Sequence, residues 1–250
     1  MKSDERVALV RTEGIGRRYG GLQAVADFSF DIFPEEILGL IGPNGAGKST
    51  TFNLISGFVK PTSGRLFFEG KDVTGSSPTR ISRMGLVRTF QHGSLMKSLT
   101  VRDNIVVGVL GAVGLLHTRS VQNKVVDAAR MLGLEQYLDE VSGNLSHGIQ
   151  RLISIAIAYA ASPKVLCLDE PLTGLNQTEA TETLNLLRHI RDNQKCAILL
   201  VEHNMKAVMQ LCERIVVLHH GQMLAMGTPS QIRSNPAVIT AYLGEKHARS

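Results

Sequence analysis

Eight residues constrain this chain more than any others. Gly42-Pro43-Asn44-Gly45-Ala46-Gly47-Lys48-Ser49 fills every fixed position of the pattern GxxxxGK[ST]. The run before it, Ile37-Leu38-Gly39-Leu40-Ile41, is short and apolar, and residues 48–56 read as a helix stopped by Gly57. Strand, glycine-rich turn and helix in that order make a phosphate-binding unit. Glycines let backbone N–H groups turn toward an anion without a clashing Cβ. The helix start adds the positive end of its dipole, and Lys48 supplies a point charge for the outer phosphates. Ser49, with Thr50 beside it in the same first turn, offers a hydroxyl to Mg²⁺.

The rest of the chain supplies the fold that such a unit needs. Its 250 residues, 43% of them apolar, suffice for a genuine core. Residues 165–168 and 197–201 are continuously apolar, as strands buried on both faces are, so each is expected centrally in a mostly parallel sheet. Between them residues 177–191 read as a helix with Leu184, Leu187 and Ile190 on its buried face. Strand signals at residues 22–32 and 65–68, divided by Pro34, Pro61-Thr62-Ser63-Gly64 and Gly70, predict an antiparallel β-layer beside the main sheet. Residues 121–132 and 149–161 are helical in pattern, within a stretch that has no core strand. The expected class is therefore α/β, with a mostly parallel sheet, an antiparallel β-layer and an inserted α-helical subdomain, and the loop's resemblance to that of P-loop NTPases implies a RecA-like core. Residues 1–90 and 162–227 form the nucleotide-binding core in this reading, 91–161 the helical subdomain and 228–250 a helical tail.

Composition narrows the setting. Lysine and arginine exceed aspartate and glutamate by 27 − 22 = +5, far short of a nucleic-acid-coating protein. The best candidate for a membrane span, residues 105–116, is shorter than the roughly 20 apolar residues a bilayer needs, and Gly108, Gly111 and Gly114 interrupt it. It reads equally as buried core or as a docking surface. The N-terminal residues have mixed charge and no secretory pattern. Cys167, Cys196 and Cys212 sit in apolar runs without CxxC spacing, as reduced core cysteines do.

Four apolar residues followed by Asp169-Glu170 give a carboxylate pair at the C-terminal end of a strand, where open α/β sheets place ligands. Asp169 is expected to hold Mg²⁺, directly or through water, and Glu170 to orient or deprotonate the attacking water, since γ-phosphoryl transfer needs little beyond positioning and charge. The alternative is a simple cap on the turn at Pro171. No NKxD-type guanine-reading motif occurs, which favours ATP over GTP.

At Leu145-Ser146-His147-Gly148-Ile149-Gln150-Arg151, upstream of Asp169-Glu170, the chain resembles the signature motif of ABC-type ATPases, and the resemblance extends over essentially its whole length. It implies that Ser146 and Gly148 face the γ-phosphate of ATP bound by a partner cassette. It also implies that Tyr19 stacks on adenine with Val25 toward the ribose. Gln91 would touch Mg²⁺ and the attacking water, and His203 would contact the γ-phosphate. Two positions depart from the family pattern: Ile149 stands where a glutamine is usual, and Asn176 where many relatives carry aspartate.

Within that family, Arg18-Tyr19-Gly20-Gly21-Leu22-Gln23-Ala24-Val25, Val87-Arg88-Thr89-Phe90-Gln91, Val201-Glu202-His203-Asn204-Met205 and the tail from Gly227-Thr228-Pro229 to Ile239-Thr240-Ala241-Tyr242-Leu243-Gly244 look most like ATP-binding subunits of branched-chain amino acid importers. Related subunits serve urea and amides, or export lipid and lipopolysaccharide. The resemblance implies two membrane permease subunits, a second related ATPase or a second copy of this chain, and indirectly an extracytoplasmic solute-binding protein. It implies a peripheral place on the cytoplasmic face of the inner membrane. Soluble ABC switches on ribosomes or DNA usually join two cassettes or insert a long coiled coil, neither of which this chain has, so no nucleic-acid partner is expected. Arg80, Arg83, Arg88, Lys97 and Arg102, with no acid between Asp72 and Asp103, could meet a permease loop or anionic lipid. A solvated basic surface is the equal alternative.

Overall fold

The computed structural model of the chain describes residues 7–89, 95–113 and 118–247. They form two compact units, one of Met1–Ile81 with Ala197–Ser250 and one of Ser82–Cys196. The chain enters through β1 (Val10–Tyr19), β2 (Leu22–Phe28), β3 (Asp31–Ile32), β4 (Ile37–Ile41), α1 (Lys48–Ile55), β5 (Ser63–Phe68) and β6 (Lys71–Asp72). The division falls within α2 (Pro78–Met84). The second unit then holds β7 (Leu86–Arg88), α3 (Val101–Val113), α4 (Thr118–Met131), α5 (His147–Tyr159), β8 (Val165–Asp169) and α6 (Gln177–Gln194). The first unit resumes with β9 (Ala197–Val201), α7 (Met205–Leu211), β10 (Arg214–His219), β11 (Gln222–Gly227), α8 (Pro229–Arg233) and α9 (Pro236–His247).

In the first unit, β10, β4 and β9 run parallel in that order, with β11 antiparallel on the outer side of β10. All five residues of β4 and of β9 are buried, as continuous apolar runs require. The antiparallel layer has the order β2-β1-β5-β6, with β3 also on β1. Its centre, β1, is a strand that sequence patterning passes over. Val10, Thr12 and Ile15 point inward, but Gly14, Gly16 and four charged residues interrupt the alternation, and the pairing is shifted between Glu13 and Gly16. A partly buried ion pair ties the residue before β4 to β10: Arg214 Nε lies 2.6 Å from Glu36 Oε1, and Glu36 Oε2 accepts from the Phe33 N–H at 2.9 Å.

In the second unit β7 and β8 are parallel, with Arg88 opposite Cys167. Between residues 95 and 161 the described residues contain helices and one isolated bridge, Thr100 to Val141, but no strand. Val101, Ile105 and Val109 of α3 are buried at i, i+4 and i+8. A Cβ on Gly108 would stand 2.1 Å from the Ile157 carbonyl oxygen of α5. That face of the glycine-spaced segment is core, while Val107 and Leu110 remain exposed on the other. Helix α6 runs three residues beyond the expected Arg191 and stops at Lys195 in the left-handed conformation, φ 52°. Among the described residues no helix is long and apolar enough to cross a membrane.

Candidate functional site

The phosphate loop is built where β4 leaves the sheet. Gly42 (φ 154°) passes so close to β10 that a Cβ would meet the Leu218 carbonyl oxygen at 2.2 Å, and one on Gly47 (φ 105°) would meet that of Ala24 at 2.6 Å. Only glycine allows both approaches. A Cβ on Gly45 would meet nothing within 4 Å among the described residues, so the loop opens outward there. The start of α1 has neither a side-chain cap nor an acidic residue, which leaves its N–H groups and dipole for an anion. Lys48 is buried, and its ammonium donates to the Gly42 and Pro43 carbonyl oxygens at 2.6 and 2.9 Å, above the loop's hollow. Asn44, Gly45 and Ser49 are exposed, Thr50 partly so, and Pro43 and Ala46 are buried. The Gly221 N–H donates to Ala46 O at 2.9 Å, strapping the β10–β11 turn to the loop.

Tyr19 ends β1 with 42% of its surface exposed, and the Arg17 guanidinium lies 4.6 Å from its ring centroid. Val25 is fully buried behind the loop, its Cγ2 3.2 Å from where a Cβ on Gly47 would stand. His203 is exposed two residues beyond β9. Because Leu40 pairs with Val201 in parallel register, His203 and Gly42 leave the same edge of the sheet. The buried Glu202 carboxylate accepts from the His203 and Asn204 N–H groups at 3.0 and 3.3 Å, and Asn204 caps α7. Patterning gave no sign of Glu202, whose role depends on the turn it closes.

In the second unit Asp169 ends β8 with its side chain 2% exposed, 3.2 Å from Arg88 Nη2. Thr89 donates its N–H to Cys167 O at 2.9 Å, and its hydroxyl oxygen accepts from the Asp169 N–H at 3.4 Å. Arg88 is therefore not part of a basic surface, and Arg102 is paired with Asp139 at 2.9 Å, so the acid-free run presents fewer open charges than its sequence implies. Glu170 follows in the left-handed region, φ 51°, a strain of roughly 1 kcal/mol for such a residue. The Thr173 N–H and hydroxyl bond to its carbonyl and carboxylate at 3.3 and 3.4 Å. Burial pushes the Cys167 thiol pKa up, which keeps it neutral beneath these carboxylates. Gln91 lies outside the described residues.

The segment around Ser146 opens α5. Ser146 is exposed and its Oγ accepts from the Ile149 N–H at 3.4 Å, the expected cap. A Cβ on Gly148 would stand 2.7 Å from Glu179 Oε1, so glycine lets the first turn of α5 approach α6. Glu179 forms a capping box with Asn176, each accepting the other's N–H at 2.9–3.0 Å. Asparagine caps as well as aspartate, which gives that departure a local rationale. Ile149 lines a hollow of about 390 Å³ with Leu152, Leu175 and Leu186. Gln150 turns back to donate its side-chain amide to the Leu145 carbonyl at 2.8 Å.

Each unit offers a hard oxygen of the kind Mg²⁺ takes, Ser49 in the first and Asp169 in the second, and an ion carried largely by phosphates and water asks for few protein donors. Among the described residues no cluster of three or more acidic, histidine or cysteine side chains forms a dedicated metal cage.

The family described as "ABC transporter" matches residues 25–173, and that described as "Branched-chain amino acid ATP-binding cassette transporter" matches residues 222–248. The chain is 42% identical to the high-affinity branched-chain amino acid transport ATP-binding protein LivG of Escherichia coli (strain K12), over 95% of this chain and 98% of that protein. It is 38% identical to the protein of the same description, BraF, of Pseudomonas aeruginosa, over the same shares. Among solved structures, a nucleotide-free ATP-binding cassette from an ABC transporter superposes with a TM-score of 0.87 at 29% identity, over 94% of this chain and 98% of that one.

Proposed function

The chain belongs to the ABC transporter family of ATP-binding proteins, and from that premise we propose that it binds and hydrolyses ATP to power an importer of branched-chain amino acids. The observation that carries the solute class is the match of the tail, residues 222–248, to the branched-chain cassette family, beyond the part that all cassettes share.

In this reading the Gly42–Gly47 backbone and Lys48 hold the β- and γ-phosphates, while Tyr19, backed by Arg17, presents its exposed face to adenine. Mg²⁺, when bound, neutralises charge on the β- and γ-oxygens. Ser49, Asp169 and Gln91 are the residues that would hold it. Glu170 accepts a hydrogen bond from the attacking water and takes its proton, and the strained backbone at Glu170 aims the carboxylate for that task. His203, fixed by Glu202 through its N–H, donates to the γ-phosphate oxygens. Ser146 and Gly148 expose the N-terminus of α5 to ATP held by a partner cassette, so that two nucleotides close two cassettes face to face and hydrolysis opens them. The partners are two membrane permease subunits, a second ATPase that is either related or identical, and indirectly a solute-binding protein outside, with this chain peripheral on the cytoplasmic face.

Uptake of labelled leucine, isoleucine and valine tests the reading. Cells lacking the gene are expected to lose high-affinity uptake, and the wild-type chain but not Lys48→Ala to restore it. Restoration by Lys48→Ala, or loss confined to urea or amide uptake, would overturn it.

A further inference from the structure

Arg88, in contact with the Asp169 carboxylate, has no part in the proposed mechanism. It ends β7, opposite Cys167 in parallel register, and so reaches the end of β8. Its guanidinium lies 3.2 Å from Asp169 Oδ2, with side-chain exposures of 11% and 2%. Thr89 fastens the same segment to β8 through the Cys167 carbonyl and the Asp169 N–H. A carboxylate this buried needs a counter-charge whether or not a metal is present.

We propose that Arg88 is a positioning residue that holds the Asp169 carboxylate in place and competes with Mg²⁺ for its charge. The inference rests on the reading of Asp169 as a metal-holding residue. With Arg88 in contact, Asp169 stays oriented and compensated when the metal is absent. When Mg²⁺ is present, two cations share one carboxylate, and the arginine's repulsion lowers the affinity for the metal. The consequence is a magnesium nucleotide bound less tightly than the bare carboxylate would hold it, so that the metal leaves readily after hydrolysis. A surface ion pair would have no such effect, because solvent would screen it.

The test is a Mg²⁺ titration of fluorescent ADP binding to the full chain. Arg88→Met is expected to lower the Mg²⁺ midpoint at least about tenfold, since a unit charge roughly 6 Å from a divalent ion costs about that much even when screened as in bulk water, and more at the lower effective dielectric of a protein. Arg88→Lys, which keeps the charge, is expected within about twofold of wild type. An unchanged or raised midpoint in Arg88→Met overturns the proposal. Asp169→Asn separates the two readings. It should raise the midpoint, and if it does not, the assignment of Asp169 fails. If it does while Arg88→Met leaves the midpoint where it was, only the role of Arg88 fails. Should Arg88→Met not fold, the double variant Arg88→Met with Asp169→Asn is expected to fold and to match Asp169→Asn in midpoint. Failure to regain the fold would equally overturn the proposal.

Discussion

Two glycines of α3, three residues apart, test the packing of the second unit. A Cβ on Gly108 would lie 2.1 Å from the Ile157 carbonyl oxygen, 2.8 Å from its carbon and 3.0 Å from its Cγ2. The obstacle is backbone, so α3 and α5 would have to part by roughly 1 Å in an interior packed to crystal density. A Cβ on Gly111, exposed on the same helix, would meet nothing within 4 Å among the described residues. Alanine gains about 0.5–1 kcal/mol of helix stability at either position. At Gly108 this is set against an overpacking cost of about 2–3 kcal/mol. Gly108→Ala is expected to destabilise by about 1–2.5 kcal/mol and Gly111→Ala to stabilise by about 0.5–1 kcal/mol. For a chain of this size those figures correspond to melting temperatures lower by about 2–10 °C and higher by about 1–4 °C. Thermal unfolding followed by circular dichroism reads both. A Gly108→Ala protein that melts above wild type would refute the close approach of α3 to α5.

Lys48→Ala should weaken nucleotide binding at least about 100-fold by calorimetry, because the loop loses its buried cation. Glu170→Gln should bind as wild type but turn over about 10²–10⁴ times more slowly in a phosphate-release assay, and undiminished turnover would remove it as the base. Ile149→Gln should raise hydrolysis in the assembled transporter, since Gln150 is turned toward Leu145; an unchanged rate would mean the backbone already makes the contact. Burial raises the thiol pKa of Cys196 to about 12 from 9.0, with those of Cys167 and Cys212 also raised. The unfolded chain then loses these protons first, so stability should be full below pH 9 and fall as pH rises beyond it. A thiol reagent at pH 8 should find all three sites only after unfolding, and rapid labelling of the native chain would contradict their burial.

What could be read from the sequence was local. β4, the phosphate loop and α1 are contiguous, and each signal reinforces the next, so the structure has them at the expected residues. The cap at Ser146 lies three residues from the N–H group it satisfies and is legible for the same reason. β1 escaped because its glycines and charges break the alternation, and its pairing with β5 comes from more than 40 residues away. Sequence proximity groups Arg88 with other basic residues, since its partner Asp169 is 81 positions distant, a relation that strand register creates and composition does not carry. Glu202 makes its contacts with backbone, to which a sequence pattern is blind.

The central claim, that this chain is the motor of a membrane importer, is tested most directly by what stays bound to it. Mass spectrometry of the tagged full chain, purified from native membranes in mild detergent, should find two multispanning proteins together with an ATPase, either a relative or a second copy of this chain. Recovery with ribosomal or DNA-bound proteins and no membrane protein would contradict transport.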